Sequence, residues 1–463
     1  MEKFDLIVIG AGPGGYPAAI RAAQLGASVA IVEREVPGGT CLNWGCIPTK
    51  TLIASAEFAD QFRHAETLGF KAAAPQIDYP ALIRRKNEVV AQLSGGVASL
   101  LKANGVKWFH GTASFLTRNQ INVANGSINT VLEAAHTIIA TGSTSTMPGF
   151  LPRHSRVVES RSFLDLTRLP ASVIILGGGV IGCEFACLLA RLGVQVTLVE
   201  MLSDILLILD EDVRRELRQV FEKKLKIRIL TGAPLTDITA SDEGVSGKAG
   251  DQTVSAELML VAIGRRPVTA ELNLAGIGIQ TTPAGHIPVD AQGRTRAATV
   301  FAVGDVNGGP QFAHAATRQG VIIAENLFAK SRTAFDSLVP SCIFTDPEVG
   351  CVGLTEAQAK EQNRAIKVGK FTFAHLGKAL ASGHPGGFVK WIADAATDRL
   401  LGAQAVGSHA TELIAEATLA IRGEYTAQEL GRTIHSHPTL SEAWMEAAHA
   451  LHGTCVHAPP RRS

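Results

Sequence analysis

The chain has 463 residues, 46% of them hydrophobic and 18% charged, which makes it too long for one compact domain and too apolar for a disordered chain. Its 43 basic and 42 acidic side chains nearly cancel, so the basic excess of a dedicated nucleic-acid binder is missing, and no apolar run reaches the roughly 18 residues needed to cross a bilayer. Seven cysteines give no disulfide framework of the secreted kind, and the apolar stretch 6–9 is too short for a signal-peptide core, so a cytoplasmic location is expected.

The first predicted unit spans residues 5–33: a β-branched strand, a G-x-G-x-x-G turn, a helix-period segment and a second strand ending in Glu33. It returns at residues 172–200, at a constant offset of 167 positions. Gly10, Gly12 and Gly15 correspond to Gly177, Gly179 and Gly182, and Glu33 corresponds to Glu200. In such a unit the first glycine allows the tight turn, the second lets backbone approach a pyrophosphate, and the third lets the helix pack closely. The helix N-terminus attracts the phosphates, and the carboxylate accepts from ribose hydroxyls. One glycine triplet reads equally well as a tight strand–helix turn. Two complete units with matching terminal carboxylates predict two dinucleotide sites.

Between the two units lies Gly-Gly-Thr-Cys-Leu-Asn-Trp-Gly-Cys-Ile-Pro-Thr-Lys, residues 38–50. Cys41 and Cys46 are too far apart on a regular helix for a disulfide, so the Asn-Trp-Gly stretch must distort the turn. A bridge formed there would be reducible and catalytic; two buried thiols or a metal pair are the alternatives. Residues 137–143, 257–267 and 299–306 read as apolar strands that break at a glycine, at the rim of a parallel sheet. The polar stretch 239–253 reads as a hairpin loop. Beyond residue 336 the texture changes to strands at 389–393 and 400–406 and helices at 410–422 and 439–451, an α+β arrangement, with a frayed tail at 459–463. In His435-Ser436-His437-Pro438-Thr439-Leu440-Ser441-Glu442, the proline holds His437 off the helix. Glu442 reads either as part of a capping box with Thr439 or as the carboxylate that orients His437.

With GGTCLNWGCIPTK, GGGVIGCEFA, AIGRRP, VFAVGDV and HSHPTLSEAWMEAAHALHG, the chain resembles the dihydrolipoamide dehydrogenase branch of the class I pyridine nucleotide–disulfide oxidoreductases over residues 4–457. The resemblance implies an α/β chain of two Rossmann-like domains plus a C-terminal α+β dimerisation domain. Residues 1–145 would bind FAD and carry the redox disulfide, 146–267 would bind NAD, 268–335 would complete the FAD site, and 336–463 would form the interface of a homodimer. FAD falls to Gly10, Gly12, Gly14, Gly15 and Glu33, with Asp305 on the ribityl region, and NAD to Gly177, Gly179, Gly182 and Glu200. Lys50 and Glu184 match an ion pair beside the isoalloxazine. Thr40, Thr141, Gly142, Gly264, Arg265, Gly304, Ala313 and His314 match further cofactor positions. Cys41 becomes the interchange thiol, Cys46 the sulfur against the flavin, and His437 with Glu442 the base, acting on the partner subunit's disulfide. No metal is implied. The implied partners are lipoyl-bearing domains of 2-oxo-acid dehydrogenase complexes or a glycine-cleavage carrier protein.

On a solitary reading, Glu184 is a helix-dipole residue and Lys50 a solvated lysine. The helix Thr439–Leu451 is expected at the interface. Pro17 near a helix start is a tolerable departure from the family pattern. Arg318 and Gln319, where relatives often carry acids, are expected to alter only surface charge. Cys183, Cys187, Cys342, Cys351 and Cys455 are expected as buried apolar cysteines. The rivals are a glutathione, trypanothione or mercuric reductase, and a redox-inactive scaffold. The latter would have lost Cys41, Cys46 or His437.

Overall fold

The structure, a computed structural model, describes residues 1–71, 73 and 75–459. All of the expected tail except Pro459 lies outside them. Strand Glu2–Ile9 centres the first sheet, running parallel to Val29–Glu33 on one side and to the long strand Ile128–Ile139 on the other. Leu6 to Ile9 are buried, as a parallel strand covered on both faces requires. Val300–Ala302 joins the end of Ile128–Ile139 in parallel, while Gln120–Asn125 and Thr112–Phe115 extend the sheet in antiparallel fashion. The first sheet therefore draws strands from both sides of the second βαβ unit in the chain.

The second sheet is wholly parallel, in the order Arg228–Thr231, Gln195–Glu200, Ser172–Leu176, Leu258–Val261, Val157–Glu159. Ser143–Ser145 and Arg265–Pro267 pair as an antiparallel ribbon where the chain enters and leaves this unit. The stretch 239–253 is not a hairpin loop. It belongs to a three-stranded antiparallel meander, Leu235–Ser241, Gly244–Ala249 and Gln252–Ala256. Its polarity is that of a sheet with one face in water, and Val245, Ala249 and Val254 bury the other.

The C-terminal sheet is antiparallel, in the order Ser341–Ile343, Glu348–Gly353, Leu400–Gly407, Gly387–Asp394, Ile366–Thr372. Helices Ala410–Arg422 and Glu442–Leu451 pack on it. The second starts at Glu442 rather than Thr439, because the Thr439 hydroxyl donates to Ser436 O (2.8 Å) instead of capping the helix. Its apolar face is not free for an interface. Ala443, Trp444, Ala447 and Ala448 are buried against the sheet of their own chain, and the Trp391 indole N–H donates to Trp444 O. No helix of the described residues is long and apolar enough to cross a membrane.

Candidate active site

The two βαβ units agree atom for atom at their turns. Gly10 N–H donates to Val32 O (2.8 Å) and Gly177 N–H to Val199 O (2.9 Å). Gly10 and Gly177 have φ of +101° and +112°, and a Cβ on either would overlap the carbonyl oxygen that follows the adjacent strand, Ala140 O or Ala262 O. A Cβ on Gly15 or Gly182 would overlap the carbonyl of the unit's own first glycine, which fixes the helix against the turn. The middle glycines are different: a Cβ on Gly179 would meet nothing within 4 Å, and one on Gly12 would face Gly39 Cα at 3.7 Å. Both line a cavity, where backbone N–H groups and a helix dipole are offered, which suits a pyrophosphate.

The terminal carboxylates also correspond. Glu33 Oε2 accepts from Ala11 N–H (2.8 Å) and Oε1 from Glu35 N–H (2.9 Å); Glu200 Oε2 accepts from Gly178 N–H (2.6 Å) and Oε1 from Leu202 N–H (2.8 Å). Each carboxylate therefore staples its glycine turn as well as facing the cavity, and one lone pair per oxygen stays open for a ribose hydroxyl. Sequence spacing indicated the second task and gave no sign of the first.

A single cavity of roughly 1340 Å³ runs between the units, larger than the 300–1,000 Å³ common for one small ligand. Every proposed cofactor position lines it except Gly15 and Gly182, whose part is packing. Cys41 and Cys46 line it too. Helix Gly39–Trp44 ends at Gly45, whose φ of −139° and ψ of −106° break it, and Cys46 opens the next helix, Cys46–Arg63. The break turns the sulfurs toward each other. Both residues are thiols here, and hydrogen bonding with Cys41 followed, against burial, by the charge of Lys50 brings Cys46 down to about 7. Cys41, donating to that sulfur and buried, is pushed up. The two facing sulfurs are the reduced partner of a disulfide, with Cys46 the one whose thiolate is favoured.

Lys50 is no solvated lysine. Its ammonium meets the buried Glu184 carboxylate at 2.7 Å and lies 4.6 Å over the Phe344 ring. Glu184 Oε1 accepts from Phe344 N–H (2.9 Å), so the carboxylate is engaged on both oxygens rather than facing the helix dipole. At Asp305, the Ser143 hydroxyl donates to the carboxylate, and Arg265 holds Ser143 through its hydroxyl and carbonyl at 2.7 Å each. Thr141 donates to Val268 O, and His314, at the start of helix Ala313–Phe328, donates to Pro340 O. Ser143 and Phe344 escaped sequence reasoning; Ser143 sits next to the flagged Thr141–Gly142, whereas Phe344 lies 160 positions from Glu184. Gln319 is not a surface residue. It is buried, and its Oε1 accepts from Gly304 N–H (2.8 Å) and the Asn307 amide (3.1 Å), bracing the Gly304–Asp305 turn.

His437 and Glu442 do not line the cavity of their own chain. The His437 side chain is 77% exposed, and its Nδ1 lies 2.8 Å from Glu442 Oε1. Glu442 Oε2 accepts from Thr439 N–H (2.8 Å), half of the expected capping box; the Thr439 hydroxyl does not return it. Burial favours the neutral Glu442 acid, but the Thr439 N–H and His437 outweigh it and lower its pKa. An ionised carboxylate only accepts, so Nδ1 carries a proton, and in the neutral ring the Nε2 lone pair is left free. Among the remaining cysteines, Cys183 and Cys187 are buried as expected, while Cys342, Cys351 and Cys455 are only partly so; Cys342 donates to Thr411 O and Cys455 to the buried Glu446 carboxylate.

Fold and site together define an oxidoreductase with two dinucleotide sites and a cysteine pair at their seam. A family model described as pyridine nucleotide-disulphide oxidoreductase matches residues 4–320, and its dimerisation-domain counterpart matches residues 339–448. The chain belongs to this family. Curated relatives include the dihydrolipoyl dehydrogenases of Chlamydia pneumoniae (42% identical, 99% of both chains covered) and Halobacterium salinarum (43%, covering 98% of this chain and 97% of the other). Among solved structures, LpdA from Mycobacterium tuberculosis superposes with a TM-score of 0.91 at 28% identity, covering 97% of this chain and 100% of the other. The copper(II) complex of the HOCl-induced flavoprotein disulfide reductase RclA from Escherichia coli gives 0.89 at 29%, covering 97% and 99%.

Proposed function

We propose that the chain is a dihydrolipoyl dehydrogenase, a homodimer that oxidises dihydrolipoamide at Cys41–Cys46 and delivers the electrons to NAD⁺. The observation that carries this is the facing Cys41–Cys46 pair beside the Lys50–Glu184 ion pair in a cavity shared by both glycine turns. Residues 1–145 with 268–335 would hold FAD, 146–267 NAD, and 336–463 the interface. When bound, FAD and NAD⁺ supply the two-electron chain that reoxidises the dithiol.

The protein's own residues do the rest. Nε2 of His437 takes a proton from one substrate thiol, with Glu442 stabilising the imidazolium. The substrate thiolate attacks Cys41 Sγ, the Cys41–Cys46 bond breaks, and Cys46 leaves as the thiolate that its low pKa favours. The second substrate thiol displaces Cys41 and closes the cyclic disulfide, its proton passing to the departing Cys41 sulfur, whose raised pKa favours the thiol. An exposed His437 imidazole, backed by a largely buried Glu442 and outside its own cavity, fits action on a second subunit, and Ile434, 95% exposed beside it, fits a surface that a partner covers. Lipoyl-bearing domains would present the substrate.

His437→Ala should lower lipoamide turnover by on the order of 10²–10⁴ while NADH oxidation by a dye survives. Mixed dimers of His437→Ala and Cys46→Ser subunits should regain activity. Near-normal lipoamide turnover in His437→Ala would overturn the base assignment, and inert mixed dimers would overturn action across the interface.

A further inference from the structure

Between the two cysteines stands Trp44, the last residue of the helix that the Gly45 break terminates. The guanidinium of Arg161 lies 3.8 Å from the centre of its indole ring. Arg161 is itself held by two bonds to the Glu35 carboxylate, Nη1 to Oε1 at 3.2 Å and Nη2 to Oε2 at 2.7 Å. Glu35 donates its N–H to Glu33, the carboxylate of the first glycine turn. Arg161 comes from the other unit. It sits in the first turn of helix Ser160–Leu164, capped by Glu159, which accepts from the N–H groups of both Arg161 and Ser162. Arg161, Trp44 and Glu35 all line the cavity.

We propose that Arg161 is a positioning residue for the Cys41–Cys46 pair, acting through Trp44 and anchored by Glu35; this rests on the disulfide chemistry proposed above. A planar cation held bidentately on one edge and stacked on an indole has little freedom, so it fixes the ring whose backbone leads into the break. Lys50 and Glu184 bear on Cys46 by their charge, whereas Arg161 contacts the Trp44 ring, so its effect on the pair is mechanical. Freed, the turn would hold the sulfurs less constantly in contact. The disulfide would form less readily, and Cys46 would lose part of the hydrogen bond that stabilises its thiolate.

The test uses flavin-loaded Arg161→Met and Trp44→Leu, the double variant, and Arg161→Lys. Equilibration against a dithiothreitol redox buffer, read by thiol alkylation and mass mapping, should show a three- to tenfold loss of disulfide stability in Arg161→Met. That corresponds to a potential up to about 30 mV higher at 29.6 mV per decade. The pH midpoint of Cys46 alkylation should rise with it. The double variant should be no worse than the worse single variant, and Arg161→Lys should recover part of the loss, because stacking survives without the bidentate fork. Wild-type potential and alkylation midpoint in folded Arg161→Met, or additive effects of the two substitutions, would overturn the proposal. None of these readouts uses lipoamide, so an intact disulfide without lipoamide turnover would overturn the substrate assignment alone. Absence of any Cys41–Cys46 disulfide in air-oxidised wild type would overturn both.

Discussion

The two βαβ units share one turn geometry and differ in what closes over it. The first is roofed: Gly39 sits against Gly12, and a Cβ on Gly39 would stand 2.5 Å from Gly12 Cα. Its helix Gly15–Gln24 also packs tightly on helix Ala313–Phe328, where a Cβ on Gly320 would overlap Gly14 O. The second is open, with nothing within 4 Å of a Cβ on Gly179 and with Met201 and Leu202 exposed past Glu200. On the assignment proposed above, the same phosphate chemistry would make a retained site of the covered unit and an exchangeable one of the open unit, because retention depends on what covers a ligand more than on what touches it.

The units also differ in how they are held. The first is fastened by close helix packing, with Arg21 of one helix paired to Glu325 of the other at 3.0 Å across a partly exposed surface. The second is fastened to the C-terminal sheet by Lys390, wholly buried, whose ammonium meets Asp210 (2.9 Å), Asp212 (2.8 Å) and Glu356 (2.7 Å). Gln404 donates to the same Asp210 oxygen that Lys390 meets (2.9 Å).

The comparison can be broken most severely at the third glycines. Gly15→Ala and Gly182→Ala impose the same overlap, one on each turn. Gly15→Ala should yield protein without flavin, by absorbance. Gly182→Ala should keep flavin and dithiol reactivity while NADH affinity falls by more than tenfold, by titration. Equal flavin loss in both would mean that the units are not independently built.

Lys390→Met tests the fastening. Removing one partner from a buried ion pair costs about 3–5 kcal/mol, seen as a lower denaturation midpoint. Burial disfavours the Lys390 charge, but its bonds to Asp212, Glu356 and Asp210 outweigh that and raise its pKa above 10.5. Burial likewise opposes the Asp212 charge, and Lys390 and Lys370 outweigh it and lower its pKa below 3.8. A raised lysine contributes stability that is lost only as pH climbs through its folded value. A depressed aspartate contributes stability that is lost as pH falls through its own. This cluster's contribution should therefore stay constant between those limits and disappear in acid, with domain opening followed by hydrogen exchange.

The smallest expected effect is nicotinamide choice. Glu200, with no arginine in Met201-Leu202-Ser203, should favour NAD⁺ over NADP⁺, because a 2′-phosphate would face a carboxylate. Comparable kcat/KM for the two would sink that reading. Because Glu200 also staples Gly178, Glu200→Gln should weaken NAD⁺ binding and loosen the turn together, detectable as faster exchange of the Gly178 amide.

By itself, the sequence determined whatever depends on short-range periodicity and local backbone geometry. The two glycine turns, the break between Cys41 and Cys46, and the helix Ala410–Arg422 were legible because sterics at a glycine or a 3.6-residue repeat act within a few positions. The meander over 239–253 was missed because a half-solvated antiparallel sheet has the composition of a loop. Glu442 was ambiguous because capping and orienting a histidine ask for the same residue, and it does part of each. Only tertiary structure could decide the partnerships across long stretches of chain: Lys50 with Glu184, Arg161 with Trp44, Lys390 with its three carboxylates, and Gln319 under Gly304. A buried charge or amide has to find a partner wherever folding brings one, and no local pattern records which of many carboxylates, rings or N–H groups that will be.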